Sequence, residues 1–261
     1  MLVPLIQFEN VTIQRDGRTV LERLNLSIAQ GEHIAILGPN GSGKSTLIKV
    51  ILRELYPVLP KGEPWSLRIM GRDRWHLFEL RNYLGIVSND WMQMCTRDFA
   101  GFEMVLSGFF GSIGIWPHHK VDEVMERKAR EVMALLEIEH LAKRNTDQMS
   151  SGEARRILIA RALVHDPQAL ILDEPTTSLD LHATYELREI FRKLARNGIS
   201  IIMVTHHLPD IIPEIQRVVL IREGRIFCDG PKHEVIHSRT LSGLFGIPVE
   251  VLERNGYYHV L

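Results

Sequence analysis

Only two cysteines occur in 261 residues, Cys95 and Cys228. They are too isolated for a disulfide framework or a zinc site, which places the chain in a reducing compartment. Neither sign of charge is in excess: the formal net charge is −1, so nucleic acid is not an expected partner, nor is an anionic membrane surface. Local basic runs such as RKAR, Arg127 to Arg130, read as the solvated face of a helix. No apolar run approaches the ~18 residues that cross a bilayer, so the chain is expected to have no membrane span of its own. The N-terminal MLVPLIQFENVTIQRDG lacks a basic flank and reaches Glu9 too soon for a signal peptide. Internal repeats and low-complexity segments are also missing. The expectation is a cytoplasmic protein whose contact with any membrane runs through a partner. What is present, 45% apolar and 24% charged residues, suits one α/β domain with a substantial core.

The first 37 residues read as strands. LIQFENVTIQ and TVLERLNLSI alternate, with RDG as the turn between them. Pro57, Pro60, Gly62 and Pro64 break the chain after a helical run, and SLRIMG and YLGIVS look like further strands. From Trp91 to about Thr146 the β character disappears, and Val121 to Leu136 has helical spacing. ALILD, a helix from about His182 to Arg196, and the buried strand ISIIMVT then alternate, as in a parallel sheet covered on both faces. A hairpin is expected around VVLIREGRIFCDG, followed by two short helices. The expected organisation is a core from about 1–90 and 160–230, an inserted helical subdomain from about 90–160, and a tail from about 231–261.

The segment GPNGSGKST, Gly38 to Thr46, carries the most chemistry. It follows the apolar run HIAIL and leads into LIKVILREL, so a glycine-rich loop joins a strand to a helix, the setting of a phosphate-binding P-loop. Gly38, Gly41 and Gly43 let backbone N–H groups approach phosphate oxygens. Pro39, Asn40, Ser42 and Thr46 complete the loop. Lys44 brings a positive charge to the β and γ phosphates, the helix start adds its dipole, and the Ser45 hydroxyl suits Mg²⁺. The pattern predicts a nucleoside triphosphate site.

Two further segments extend it. ALILDE ends an apolar strand in Asp173 and Glu174, whose side chains point to opposite faces. Asp173 can hold Mg²⁺ and Glu174 can polarise an attacking water. MSSGEARRILIARAL contains Ser150 and Glu153 as an S-x-x-E capping box. Ser150, Ser151 and Gly152 then present a hydroxyl and N–H groups at a positive helix end, which suits a γ-phosphate.

Together these motifs resemble the nucleotide-binding domain of ATP-binding-cassette (ABC) proteins over essentially the whole chain. GPNGSGKST matches Walker A, ILDEP matches Walker B, and MSSGE matches the LSGGQ signature with substitutions. SLD, Ser178, Leu179 and Asp180, matches the D-loop, and VTHH matches the switch-histidine segment. The resemblance implies a P-loop NTPase of the ABC type: a mixed, mainly parallel sheet core, an N-terminal antiparallel β subdomain and an inserted helical subdomain. It implies ATP and Mg²⁺ as cofactors, hydrolysis with Glu174 and His206 as catalytic residues, and a head-to-tail dimer of two copies. In that dimer each nucleotide lies between the Walker A of one copy and the signature of the other. Arg15 falls where an aromatic residue stacks on adenine, and its guanidinium plane can also stack. Asn89 falls at the Q-loop glutamine, a metal-linked position, with Gln93 as the alternative.

The segment from Trp91 to Trp116 is dense in aromatic residues. In ABC transporters this region receives the membrane subunit; Phe99, Phe102, Phe109 and Phe110 either line such a surface or fill the subdomain core. VLSGFFGSIGIW is similar to a branch named for molybdenum transport and photorepair, and the tail GPKHEVIHSRTLSGLFGIPVEV resembles metal-chelate importers. These likenesses imply an ATPase subunit that energises a separate permease, an importer of a metal, oxyanion or metal chelate. The alternative is a soluble ABC ATPase of the translation, repair or iron–sulfur-assembly type.

Overall fold

Apolar runs long enough to bury both faces become the central strands, and X-Gly pairs close the hairpins. The computed structural model describes residues 3–58 and 64–261, so Pro60 and Gly62 lie outside the described residues. In chain order the elements are β1 (Ile6–Arg15), β2 (Arg18–Ile28), β3 (Ile34–Leu37), α1 (Lys44–Ile51), β4 (Ser66–Ile69) and α2 (Leu77–Tyr83). There follow β5 (Leu84–Val87), α3 (Asn89–Cys95), α4 (Gly101–Leu106), α5 (Glu123–Leu135), α6 (Ser151–Leu163), β6 (Ala169–Asp173) and α7 (Leu181–Arg196). The chain closes with β7 (Ser200–Thr205), β8 (Arg217–Arg222), β9 (Arg225–Pro231), α8 (Lys232–Val235), α9 (Ser238–Phe245), β10 (Val251–Arg254) and β11 (Tyr257–Val260). Two compact units result, Met1–Leu80 with Ser200–Leu261, and Arg81–Ile199.

In the first unit β3 lies between β7 and β8, parallel to both, with Leu37 level with Thr205 on one side and Leu220 on the other. Every residue of β3 and β7 is buried. Each such aliphatic side chain contributes roughly 1.5–3 kcal/mol, so these two short strands anchor the unit. β9 adds to β8 antiparallel at the edge. A separate antiparallel sheet has the order β2-β1-β4. Asp16-Gly17 and Glu223-Gly224 close the β1–β2 and β8–β9 hairpins, each with positive φ at both residues, the turn that matches strand twist. Arg217 on β8 ties the two sheets together: it forks onto Asp229 at 2.7 Å on both nitrogens, and also donates to Glu32 and to the Ser27 carbonyl. His33, just before β3, accepts from the Ile201 N–H through Nδ1. Burial holds its pKa below the ordinary histidine value, which keeps that nitrogen an acceptor.

In the second unit β5 and β6 pair in parallel. α6 is buried almost all round, with Ile157, Leu158, Ile159 and Leu163 in the core, and it packs against α4 and α5. Two glycines permit close approach: a Cβ on Gly101 would lie 2.5 Å from the Leu141 carbonyl oxygen, and one on Gly108 2.4 Å from that of Arg161. α7 begins at the N-cap Asp180, which accepts from the Ala183 N–H, and ends at Asn197-Gly198, with Gly198 at φ 87°.

Three elements are not marked individually in the sequence. A helix forms at Leu77–Tyr83 and another at Asn89–Cys95, where the Ser88 hydroxyl caps the Trp91 N–H. The tail contains not only two short helices but also a terminal hairpin, β10–β11, turned at Asn255-Gly256.

Candidate nucleotide site

In the first unit β3 ends at Leu37 and α1 begins at Lys44, so residues 38–43 form the loop between them. Gly41 has φ 78° and Gly43 φ 106°, backbone angles that a side chain would strain. A Cβ on Gly43 would also press to 2.6 Å from Leu21 Cδ2, and one on Gly38 to 2.2 Å from the Ile221 carbonyl oxygen. The loop therefore runs in contact with β2 and β8 and tolerates no side chain there, whereas Gly41 faces open space. The β8–β9 turn fastens it: the Gly224 N–H donates to the Ser42 carbonyl, and the Gly224 carbonyl accepts from the Glu22 N–H. Lys44 is buried and folds back, its Nζ donating to the carbonyls of Gly38 at 2.7 Å and Pro39 at 3.2 Å. Asn40 and Ser45 are exposed, and Thr46 is half-buried. The result is a rigid ring of backbone with a buried ammonium beneath it and a hydroxyl on the first turn of a helix. That donor set fits a triphosphate and a hard cation.

His206 follows the last residue of β7, and β7 is level with β3 at Thr205 and Leu37. Both strands are parallel, so His206 leaves the sheet at the same edge as the phosphate loop. The buried Thr205 hydroxyl donates to Asp210 at 3.0 Å and accepts from the His207 N–H, which sets the path of the chain through the histidines. His206 is half-buried, its ring 3.8 Å from that of exposed His207. Arg15 ends β1 as an exposed side chain beside Asp16.

In the second unit the expected capping box forms. The Ser150 hydroxyl accepts from the Glu153 N–H, and Glu153 Oε2 accepts from the Ser150 N–H at 2.8 Å. Arg144 clamps the other carboxylate oxygen at 3.1 Å. The backbone N–H of Ser150 is the main reason the Glu153 pKa lies below the ordinary glutamate value. A depressed folded-state pKa stabilises the fold above the unfolded value and loses that contribution as pH falls through the folded one. Ser150→Ala is thus expected to cost about 1 kcal/mol in urea unfolding at neutral pH. The gap between wild type and Glu153→Gln should narrow as pH falls below the glutamate range. Ser151 is exposed and opens α6. Gly152 lets this end of α6 approach α7, since its Cβ would stand 3.0 Å from Ala183 Cβ.

β6 delivers Asp173 and Glu174 at its end. Glu174 adopts φ 51° and Ser178 φ 65°, so the chain turns sharply on either side of the Thr176-Thr177 pair. Leu179 is half-buried and Asp180 exposed. Arg155, which sequence reasoning passed over, organises this corner. Its buried guanidinium donates to the carbonyls of Glu174 and Pro175 and to Asn89 Oδ1 at 3.0 Å. One side chain therefore joins the strand end to the Q-loop position, while Gln93 is exposed on α3. The clue available was three arginines, Arg155, Arg156 and Arg161, set among the apolar residues of α6.

Comparison with known proteins decides the family. The model for the ABC transporter family matches residues 21–177, more than half of the chain. This chain belongs to the ABC transporter family. The ABC transporter ATP-binding protein YlmA of Bacillus subtilis (strain 168) is 34% identical over 95% of this chain and 93% of its own length. The hemin import ATP-binding protein HmuV of Photobacterium damselae subsp. damselae is 30% identical, over 95% and 91%. Among solved structures, cbiO1 of Clostridium perfringens, part of the ABC transporter complex cbiONQ, has a TM-score of 0.76 at 28% identity, covering 91% of this chain and 92% of that one. A nucleotide-free ATP-binding cassette from an ABC transporter gives 0.76 at 24% identity, covering 94% and 96%, which shows the shared fold. The chain is thus an ABC transporter ATP-binding protein with the α/β P-loop fold. Among the described residues no helix is long and apolar enough to cross a membrane.

Within this ABC ATPase the aromatic segment neither disappears into the core nor stands free. Phe99, Phe102, Phe109 and Phe110 are all half-buried, and Trp116 is 49% exposed. They pair with one another and with histidines: Phe99 edge-on to Trp116, Phe110 stacked on His119 at 4.2 Å, and Phe109 edge-on to His165. Trp91 is covered by the buried guanidinium of Arg161 at 4.4 Å.

Proposed function

We propose that this chain is the Mg²⁺-dependent ATPase subunit of an importer for a metal, oxyanion or metal chelate, driving a separate membrane permease from the cytoplasmic face. The band of half-exposed aromatic residues from Trp91 to Trp116 carries the transport part of this reading. It is a preorganised apolar surface that a soluble monomer has no reason to display. The kinship with hemin import proteins supports the cargo class.

In this reading the phosphate loop, residues 38–46, holds the triphosphate of one nucleotide, with Lys44 turning from its own carbonyls to the phosphate oxygens and Arg15 stacking on the base. Ser45 and Asp173 would hold Mg²⁺, which supplies charge to offset that of the phosphates; Asn89 has its amide oxygen already engaged by Arg155. Glu174 accepts the proton of the attacking water, and His206 orients that water and contacts the γ-phosphate. Ser150, Ser151 and Gly152 at the start of α6, with Ser178, Leu179 and Asp180, face the nucleotide of a second copy. Two copies then close head to tail around two ATP molecules, and hydrolysis separates them. Expression with its native membranes tests the transport reading. A detergent-stable complex with a polytopic membrane protein is the expected result, and recovery with soluble partners or ribosomes alone would overturn it.

A further inference from the structure

The segment after His206 is held at both ends. Near the histidine, the Thr205 hydroxyl binds buried Asp210. At the far end the C-terminal tail takes over. Lys232, the first residue of α8, is buried, and its Nζ donates to the carbonyls of Pro213 at 3.1 Å and Ile212 at 3.4 Å. Its ammonium stands 5.8 Å from the ring of Tyr258 on β11, itself only 5% exposed. β11 lies alongside Leu208–Asp210, and the Asn255-Gly256 turn closes on the Pro213 ring, which a Cβ on Gly256 would approach to 3.2 Å. Ile211, Ile212 and Ile215 are fully buried, so the segment has little room to shift alone. A lysine removed from water to bind two carbonyls is costly, and burial accordingly holds its pKa below the ordinary value. A methionine would fill the same space without that cost, which makes a purely packing role for the ammonium a poor account of it.

We infer that Lys232 and the β10–β11 hairpin clamp residues 208–213 and thereby position His206 for ATP hydrolysis. Lys232 and Tyr258 are positioning residues: they touch no nucleotide, and they act through the chain that leaves His206. The inference rests on the assignment of His206 proposed above. Misplacing a catalytic group by about 1 Å costs up to roughly a hundredfold in rate without loosening the substrate.

Steady-state ATP hydrolysis by the full chain tests this, with thermal unfolding to confirm that each variant is folded. Lys232→Met and Tyr258→Ala should each lower kcat by about tenfold while KM for ATP changes less than about twofold. Tyr258→Phe, which keeps the ring, should restore the rate. In a His206→Ala background, Lys232→Met should have no further effect, because the group it positions is gone. Wild-type kcat in folded Lys232→Met overturns the clamp, as does an undiminished further loss in the His206→Ala background. If His206→Ala alone retains full turnover, the assignment of His206 falls and the clamp falls with it. Reduced turnover in His206→Ala beside normal turnover in Lys232→Met removes the clamp alone.

Discussion

Lys44→Met is expected to weaken ATP binding by about 10- to 100-fold, the loss of one or two charge-assisted hydrogen bonds to phosphate. Methionine keeps the stem that fills the buried space under the loop and removes only the ammonium. The lysine's bonds to the Gly38 and Pro39 carbonyls are lost, but the Gly224 bond to Ser42 and the close packing of Gly38 against β8 and of Gly43 against β2 remain. Its shape should therefore survive, and unfolding should stay cooperative. Calorimetric titration with ATP, ADP and AMP separates the contributions. The loss should be large for ATP and ADP and small for AMP, which reaches neither the β nor the γ position. Equal weakening for all three nucleotides would show a collapsed loop instead of a missing charge.

Glu174→Gln should produce the opposite pattern: intact ATP affinity and hydrolysis slowed by about 10²- to 10⁴-fold, the usual reach of a positioned base. The substitution is isosteric, and the Glu174 backbone carbonyl keeps its bond from Arg155. The left-handed backbone at this position is a cost that glutamate already bears, and glutamine bears a similar one. With binding preserved and turnover blocked, ATP should trap the closed pair of subunits, seen as a shift to dimer in gel filtration. Phosphate release at the wild-type rate would remove Glu174 from the role of base.

How much of this was legible depends on where each signal is stored. β3, β6 and β7 announce themselves because a strand buried on both faces must be apolar at every position, and ILDE and VTHH ride on their ends. The capping box is equally local, three residues apart on one helix turn. By contrast the β10–β11 hairpin carries a clear Asn-Gly turn, but its strands, VLER and YYHV, are short and half exposed, so no alternation marks them. Arg155 was missed for a different reason. Its partners at Asn89 and Glu174 are 66 and 19 residues away, and no spacing rule links an arginine to carbonyls at such distances. The aromatic segment was visible as composition only. Which face of each ring is covered depends on His119, His165 and Arg161, supplied by other parts of the unit.

The contact between Gly224 and the phosphate loop sets an order of events during synthesis. Residues 38–46 leave the ribosome early, yet β3 has no parallel neighbour in its own unit until Ser200 to Arg222 have emerged, and the bond that ties the loop to the β8–β9 turn waits for Gly224. A nascent chain cut short before that point carries the whole phosphate-binding sequence and cannot hold it in shape. Nucleotide is then expected to offer little stabilisation to an N-terminal fragment, and the folding of this unit waits until about six-sevenths of the chain has been made.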